Sequence, residues 1–259
     1  MTDQTSDRPS APLVGRNPVL ELLRADSRRV EEVAILGDGR GPALQELLTL
    51  ARQRGVKVSY RTRDQLTAIA GTPHHQGVVA RVAEARYAEL GDLLEIPRVR
   101  REPAFFLGLD RIQDPRNLGA VLRTAEVSGV HGLILPKHHA VGLTAAVARS
   151  AMGGLEHVPV AREANLVNAL EVLKRESVWV MGAATRGGDV PWEVDLTVPL
   201  CLVLGGEGEG LRPLVARTCD RLLTLPMRGK IGSLNVSAAG AMLCYEVVRQ
   251  RAKPTTNTP

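Results

Sequence analysis

At 259 residues the chain has room for two domains or one large one, and 44% hydrophobic with 24% charged residues is an ordinary globular balance. The formal charge is +5, from 16 basic and 14 acidic residues up to Pro103 and 17 and 14 beyond it. That permits a polyanionic partner without nominating either half as its binder. Several classes drop out: there is no run of eighteen apolar residues, no basic leader with an apolar core behind it, and no paired-cysteine spacing among Cys201, Cys219 and Cys244. A membrane span, a secretory signal, a disulfide framework and a zinc site are therefore not expected, and a reducing, cytoplasmic setting is.

Residues 1–12 read as a disordered lead and 253–259 as a disordered tail. Between them, residues 13–83 read as a small α/β domain. Asn17 caps a helix with Pro18 at its first position, Val30 to Leu36 forms a strand, and Pro42 to Arg54 forms a helix stopped by Gly55. Val56 to Tyr60, Arg63 to Ala70 and Gly77 to Val82 follow as strand, helix and strand. The pairs His74-His75 and His138-His139 are poor metal clamps, because adjacent side chains diverge; they read as surface or RNA-facing. Residues 84–103 hold Pro97, Pro103 and the arginines Arg98, Arg100 and Arg101. They read as an interdomain connection, either a solvated linker or a phosphate contact.

Residues 104–252 alternate strand and helix. Uninterrupted apolar strands such as Cys201 to Leu204 suit a parallel sheet covered on both faces, and the alternation predicts a doubly wound α/β domain. Ligands of such sheets bind beyond the carboxyl ends of the strands. Three polar-and-glycine clusters fall there: Asp114 to Arg123, Leu204 to Gly210 and Pro226 to Ser237. In the first, Asn117 is either an N-cap or a functional amide, and Arg123 either pairs with Glu126 on an exposed face or serves a site. The second lacks the Lys-Ser/Thr of a phosphate loop and the spacing of a dinucleotide site. Its glycines admit close backbone approach, and Glu207 and Glu209 tolerate a cationic ligand such as S-adenosylmethionine. In the third, Ser233 or Asn235 caps the last helix.

Together these clusters resemble the signature motifs of the SPOUT methyltransferases in their TrmH/SpoU branch, which methylate ribose 2′-hydroxyls in RNA. Asp110, Gly129-Val-His-Gly132 and Glu246 to Arg251 extend the resemblance, and Gly15-Arg-Asn-Pro18 with His75-Gln-Gly-Val-Val79 is similar to the RNA-binding substrate domain of the RlmB-type members. The resemblance implies S-adenosylmethionine as cofactor, a guanosine ribose in the P loop of 23S rRNA as substrate, and a homodimer with its sites at the subunit contact. It implies a deep trefoil knot over 204–235, and no DNA, membrane or metal. Residue by residue it assigns Arg123, Asn117, Glu207, Ser233 and Asn235 to catalysis, and Gly205, Gly206, Leu225, Leu234, Met227 and Ala184 to the cofactor.

A neutral arginine near pH 7 costs roughly 7 kcal/mol, since its pKa exceeds about 12. Arg123 is therefore expected to orient the ribose and stabilise a developing alkoxide rather than act as base. Other readings are tRNA methylation by the same chemistry and a non-catalytic RNA-binding or ribosome-assembly factor on the same scaffold. A nucleotide-dependent small-molecule enzyme fails for want of a phosphate loop.

Overall fold

A computed structural model describes residues 12–24, 30–37, 39, 41–83, 85–206, 208 and 210–252. The sequence-expected lead and tail lie outside the described residues, apart from Pro12. The chain divides into two compact units, one of residues 1–86 with 142–156, the other of 87–141 with 157–259.

In the first unit the order is β1 (Leu13–Val14), α1 (Arg16–Arg24), β2 (Val30–Leu36), α2 (Pro42–Gln53), β3 (Lys57–Arg61), α3 (Arg63–Ala70) and β4 (Val78–Val82). The sheet runs β1-β4-β2-β3, with only the β2–β3 pair parallel. Helix α1 opens at Arg16, so Asn17 and Pro18 lie inside its first turn rather than at a cap. Its Val19, Leu20, Leu22 and Leu23 bury a stripe against Val33, Ile35 and the Leu44–Leu47–Ala51 face of α2. Helix α3 is held by a reciprocal Thr62–Gln65 capping box and stopped by Gly71 at φ 66°. His75 is not a surface residue: it is 1% exposed, and both ring nitrogens are engaged inside the unit.

The second unit begins with α4 (Leu90–Arg100) and continues through β5 (Phe105–Asp110), α5 (Pro115–Val127) and β6 (Gly132–Pro136). Two short helices come next, α6 (Ala145–Ala151) and α7 (Gly154–His157). The segment 142–156 that carries them groups with the first unit, where Ala148 packs on its core. The second unit resumes with β7 (Val160–Glu163), α8 (Leu166–Arg175), β8 (Trp179–Ala183), β9 (Leu200–Gly205), α9 (Pro213–Thr218), β10 (Arg221–Leu223) and α10 (Val236–Arg251). Its sheet, in the order β10-β8-β9-β5-β6-β7, is parallel at every pairing.

The stretch 84–103, expected as a connection, holds α4 instead. Leu93 is fully buried among Phe106, Ile134 and Leu166, and a Cβ on Gly132 would lie 2.5 Å from its side chain. Burial of that kind, roughly 1.5–3 kcal/mol for one leucine, offsets the hydrogen bond that Pro97 removes. Arg98 is exposed, as are Arg100 and Arg101, and it pairs with Glu95 and, at 2.6 Å, with Glu176. The end of α10 is fixed by Arg251, which donates to the carbonyls of Leu196, Val198, Pro103 and Ala104 at 2.6–3.2 Å. Among the described residues no helix is long and apolar enough to cross a membrane.

Candidate active site

Strand β5 is buried at every residue and ends in a carboxylate, Asp110, that is 0% exposed. Asp110 Oδ2 accepts the main-chain N–H of Arg212 at 2.9 Å, and Oδ1 accepts Nε of the same arginine at 2.8 Å. Two charge-assisted bonds to one residue fix the start of α9 against the end of β5. They also fix the far side of the glycine loop that leaves β9. Within that loop Gly210 N–H donates to Gly206 O at 3.1 Å. A Cβ on Gly205 would stand 2.1 Å from the carbonyl carbon of Gly210, so the backbone path requires glycine there. Arg212 was not singled out from sequence; the available signal was the charged end of an otherwise apolar strand.

Beyond the carboxyl ends of β8, β9 and β10 lies a cavity of about 260 Å³. Ala184, Gly205, Gly206, Leu225, Met227, Ser233 and Leu234 line it, and all of them come from the sequence-expected set. Leu223, Val236, Ala239 and Leu243 complete an apolar wall, and Thr185 with Arg186 form an edge that sequence reasoning missed. Helix α10 comes close to the sheet because Gly240 has no side chain: a Cβ there would meet Leu204 at 2.8 Å.

The cap of α5 is Asp114, which accepts the Arg116 N–H at 2.7 Å. Asn117 is therefore not a cap. It is the third helical residue, 7% exposed, and its Oδ1 accepts Nδ2 of Asn235 at 3.0 Å. Asn235 caps α10, its own Oδ1 accepting from Ser237 N–H at 2.9 Å and Ser237 Oγ at 2.6 Å. Each amide oxygen is thereby fixed by its donors. Ser233 lines the cavity but does not cap the helix.

Arg123 is exposed on α5 and does not line the cavity of its own chain. It forms no hydrogen bond or ion pair among the described residues, so the pairing with Glu126 is not made. Glu207 lies outside the described residues. Among those described, no group of three His, Cys, Asp or Glu side chains could hold a metal ion. Burial pushes the Cys219 and Cys244 thiols up to about 12 and raises Cys201 further, so none is poised as a thiolate nucleophile.

Residues 104–245 match the SpoU rRNA Methylase family. The chain belongs to that family. Residues 12–88 match the RNA 2'-O ribose methyltransferase substrate binding family, so a substrate-binding domain precedes the methylase domain in the sequence. Among relatives, YacO of Bacillus subtilis, assigned by name to the TrmH family of tRNA/rRNA methyltransferases, is 42% identical over 92% of this chain and 95% of its own. The 23S rRNA (guanosine-2'-O-)-methyltransferase RlmB of Ralstonia nicotianae is 40% identical over 93% of this chain and 96% of its own. The SpoU methyltransferase AviRb of Streptomyces viridochromogenes, solved with AdoMet, superposes with a TM-score of 0.76 at 26% identity, covering 93% of this chain and 89% of that one.

S-adenosylmethionine is the cofactor of the SpoU methylases, and the cavity suits it. Its wall is apolar where an adenosine would pack, and glycines let main-chain groups approach. The loop lacks the lysine a triphosphate would need.

Proposed function

We propose that the chain methylates the 2′-hydroxyl of a guanosine ribose in 23S rRNA, using S-adenosylmethionine. The observation that carries the proposal is the juxtaposition of the glycine-and-leucine cavity with the Asn117–Asn235 amide pair at the carboxyl edge of the parallel sheet. Identity of 40% to an RlmB over nearly the whole chain supports the substrate.

When bound, S-adenosylmethionine would supply a methyl group on a positively charged sulfur, the carbon–sulfur bond breaking as the ribose oxygen takes the methyl and loses its proton to solvent. Gly205, Gly206, Leu225 and Leu234 would hold it through main-chain groups, and Met227 and Ala184 line the same cavity. Asn117, Asn235 and Ser233 orient the ribose, and Glu207 belongs to the same polar set. Alignment of this kind supplies roughly 7–11 kcal/mol of a two-reactant barrier. Arg123 positions the ribose and its phosphate and stabilises the developing alkoxide.

Because Arg123 does not line its own cavity, the proposal includes a homodimer whose sites lie at the subunit contact. The packed pair α5 and α10 supports this, leaving Val127, Met242 and Tyr245 exposed at 74%, 53% and 69%. A threaded chain over 204–235 is part of the same reading. Contacts of backbone on backbone support it: Gly205 against Gly210, and Gly188 against Leu222, where a Cβ would stand 2.6 Å from the carbonyl carbon. Such threading is rare. The first unit, with residues 13–83 as its main body, is assigned to RNA binding, and an rRNA substrate places the enzyme in the cytoplasm.

The test is resistance to alkaline cleavage in 23S rRNA after reaction, since a methylated 2′-oxygen cannot attack its phosphodiester. Resistance confined to one guanosine supports the proposal. Methyl incorporation without it, as on a base, contradicts it.

A further inference from the structure

We infer that the first unit carries a phosphodiester-binding notch built on Arg16 and Arg63. A cavity of about 150 Å³ opens there beside the starts of α1 and α3 and the turn before β4. Arg16, Arg63, His75, Gln76 and Gly77 form its polar wall. Arg16 is held in place locally: its main-chain N–H donates to Gln76 Oε1 at 3.1 Å, and its Nη2 donates to Gln76 O at 3.3 Å. Its Nε is buried and has no partner. Arg63, exposed on the first turn of α3, forms no hydrogen bond or ion pair among the described residues. Neither guanidinium meets a carboxylate, and no described Asp or Glu lines the cavity. Two arginines that pair with no carboxylate among the described residues, beside one concave wall, are a site for an anion, and the guanidinium fork matches phosphate oxygens.

The wall itself is preset. Gln76 and Gly77 take φ values of 53° and 75°, the left-handed region that a non-glycine residue adopts only when its surroundings hold it. His75 supports that turn from below, its Nδ1 accepting the Gly77 N–H at 3.0 Å while Nε2 lies 3.3 Å from Thr67 Oγ1. With both ring nitrogens committed and the residue 1% exposed, His75 shapes the notch without binding a ligand. A base is the wrong occupant, because single-strand sites hold bases on open aromatic faces and no Phe, Tyr or Trp lines this cavity. A backbone phosphate is the fragment of RNA that two arginines without a carboxylate partner among the described residues and a small polar cavity select.

The inference rests on the proposal that the substrate is RNA, but the two fail separately. The experiment measures equilibrium binding of the full chain to transcribed 23S rRNA between roughly 50 and 200 mM KCl, for wild type, Arg16→Ala and Arg63→Ala. Each lost phosphate contact makes the log–log salt slope shallower by about 0.7–0.9. Each variant's deficit against wild type then shrinks about threefold across that range. S-adenosylmethionine affinity, measured by calorimetry, stays at the wild-type value. At saturating RNA kcat is unchanged while the KM for RNA rises. Arg63 is exposed and forms no hydrogen bond or ion pair among the described residues, so Arg63→Ala decides the matter alone should Arg16→Ala fail to fold. Wild-type slopes in the variants, or weaker binding at an unchanged slope, overturn the notch and leave the substrate standing. Failure of wild type to bind 23S rRNA overturns the substrate reading and the notch with it.

Discussion

Asn235 Nδ2 donates to Asn117 Oδ1 at 3.0 Å, joining two residues 118 positions apart. The bond links the first turn of α5 to the cap of α10, whose sequence neighbours Leu234 and Val236 line the cavity. Asn235 is used twice, its oxygen capping α10 and its nitrogen holding Asn117. Asn235→Asp keeps the cap oxygen and loses the donor. Stability should therefore stay within about 1 kcal/mol, the worth of a cap. Methyl transfer should fall on the order of 10²-fold, as displaced reacting groups do. Thermal melts and single-turnover rates check the split; a parallel loss of both would make the pair merely structural.

Gly205→Ala should abolish S-adenosylmethionine binding, because the new methyl would overlap the backbone of Gly210 and the loop must move. Gly229→Ala is the matched control, since a Cβ there meets nothing within 4 Å and the backbone is not left-handed. Calorimetric titration with the cofactor should show no heat for the first and near wild-type affinity for the second.

Arg212→Ala leaves the Asp110 carboxylate buried without its side-chain partner. The cost should be about 2–4 kcal/mol, below that of a fully buried pair because Arg212 is 40% exposed to screening water. Asp110→Asn removes the stranded charge and should be milder. Urea unfolding of both variants measures the order; a larger loss for Asp110→Asn would contradict it.

His131 accepts the Phe105 N–H at Nδ1 and lies 3.0 Å from Glu102 at Nε2, buried and neutral. Burial lowers its pKa below the ordinary 6.5, against the opposing pull of Glu102. The unfolded chain therefore binds the proton first as pH falls, so this contribution to stability is complete above 6.5 and is lost on going down towards the folded-state pKa. Melting temperature should drop as pH falls below about 6.5, and His131→Gln should flatten that dependence. An equally steep profile in the variant would place the effect elsewhere.

Much of the catalytic unit was legible in the sequence because its signals are local. Apolar strands such as Phe105 to Leu109 read as a covered parallel sheet, and the glycine clusters fell at strand ends where ligands of such sheets bind. What stayed hidden depends on distant partners. Pro97 argued against a helix that Leu93 holds in place through the core of the second unit. Asp114 took the cap that Asn117 was equally suited to by residue type, and only Asn235 shows what Asn117 does instead. The Asp110–Arg212 clamp spans 102 positions, and Ala148 packs with the first unit from within the sequence of the second. The spacing of residues along the chain carries no trace of either.

The central claim is tested most directly by transfer of labelled methyl from S-adenosylmethionine to 23S rRNA and to bulk tRNA, side by side, with nuclease mapping of the product. The account predicts label on the ribose of one guanosine in 23S rRNA and none in tRNA. Label in tRNA alone would overturn the substrate, and a chain that binds no S-adenosylmethionine at all would contradict the cavity's assignment.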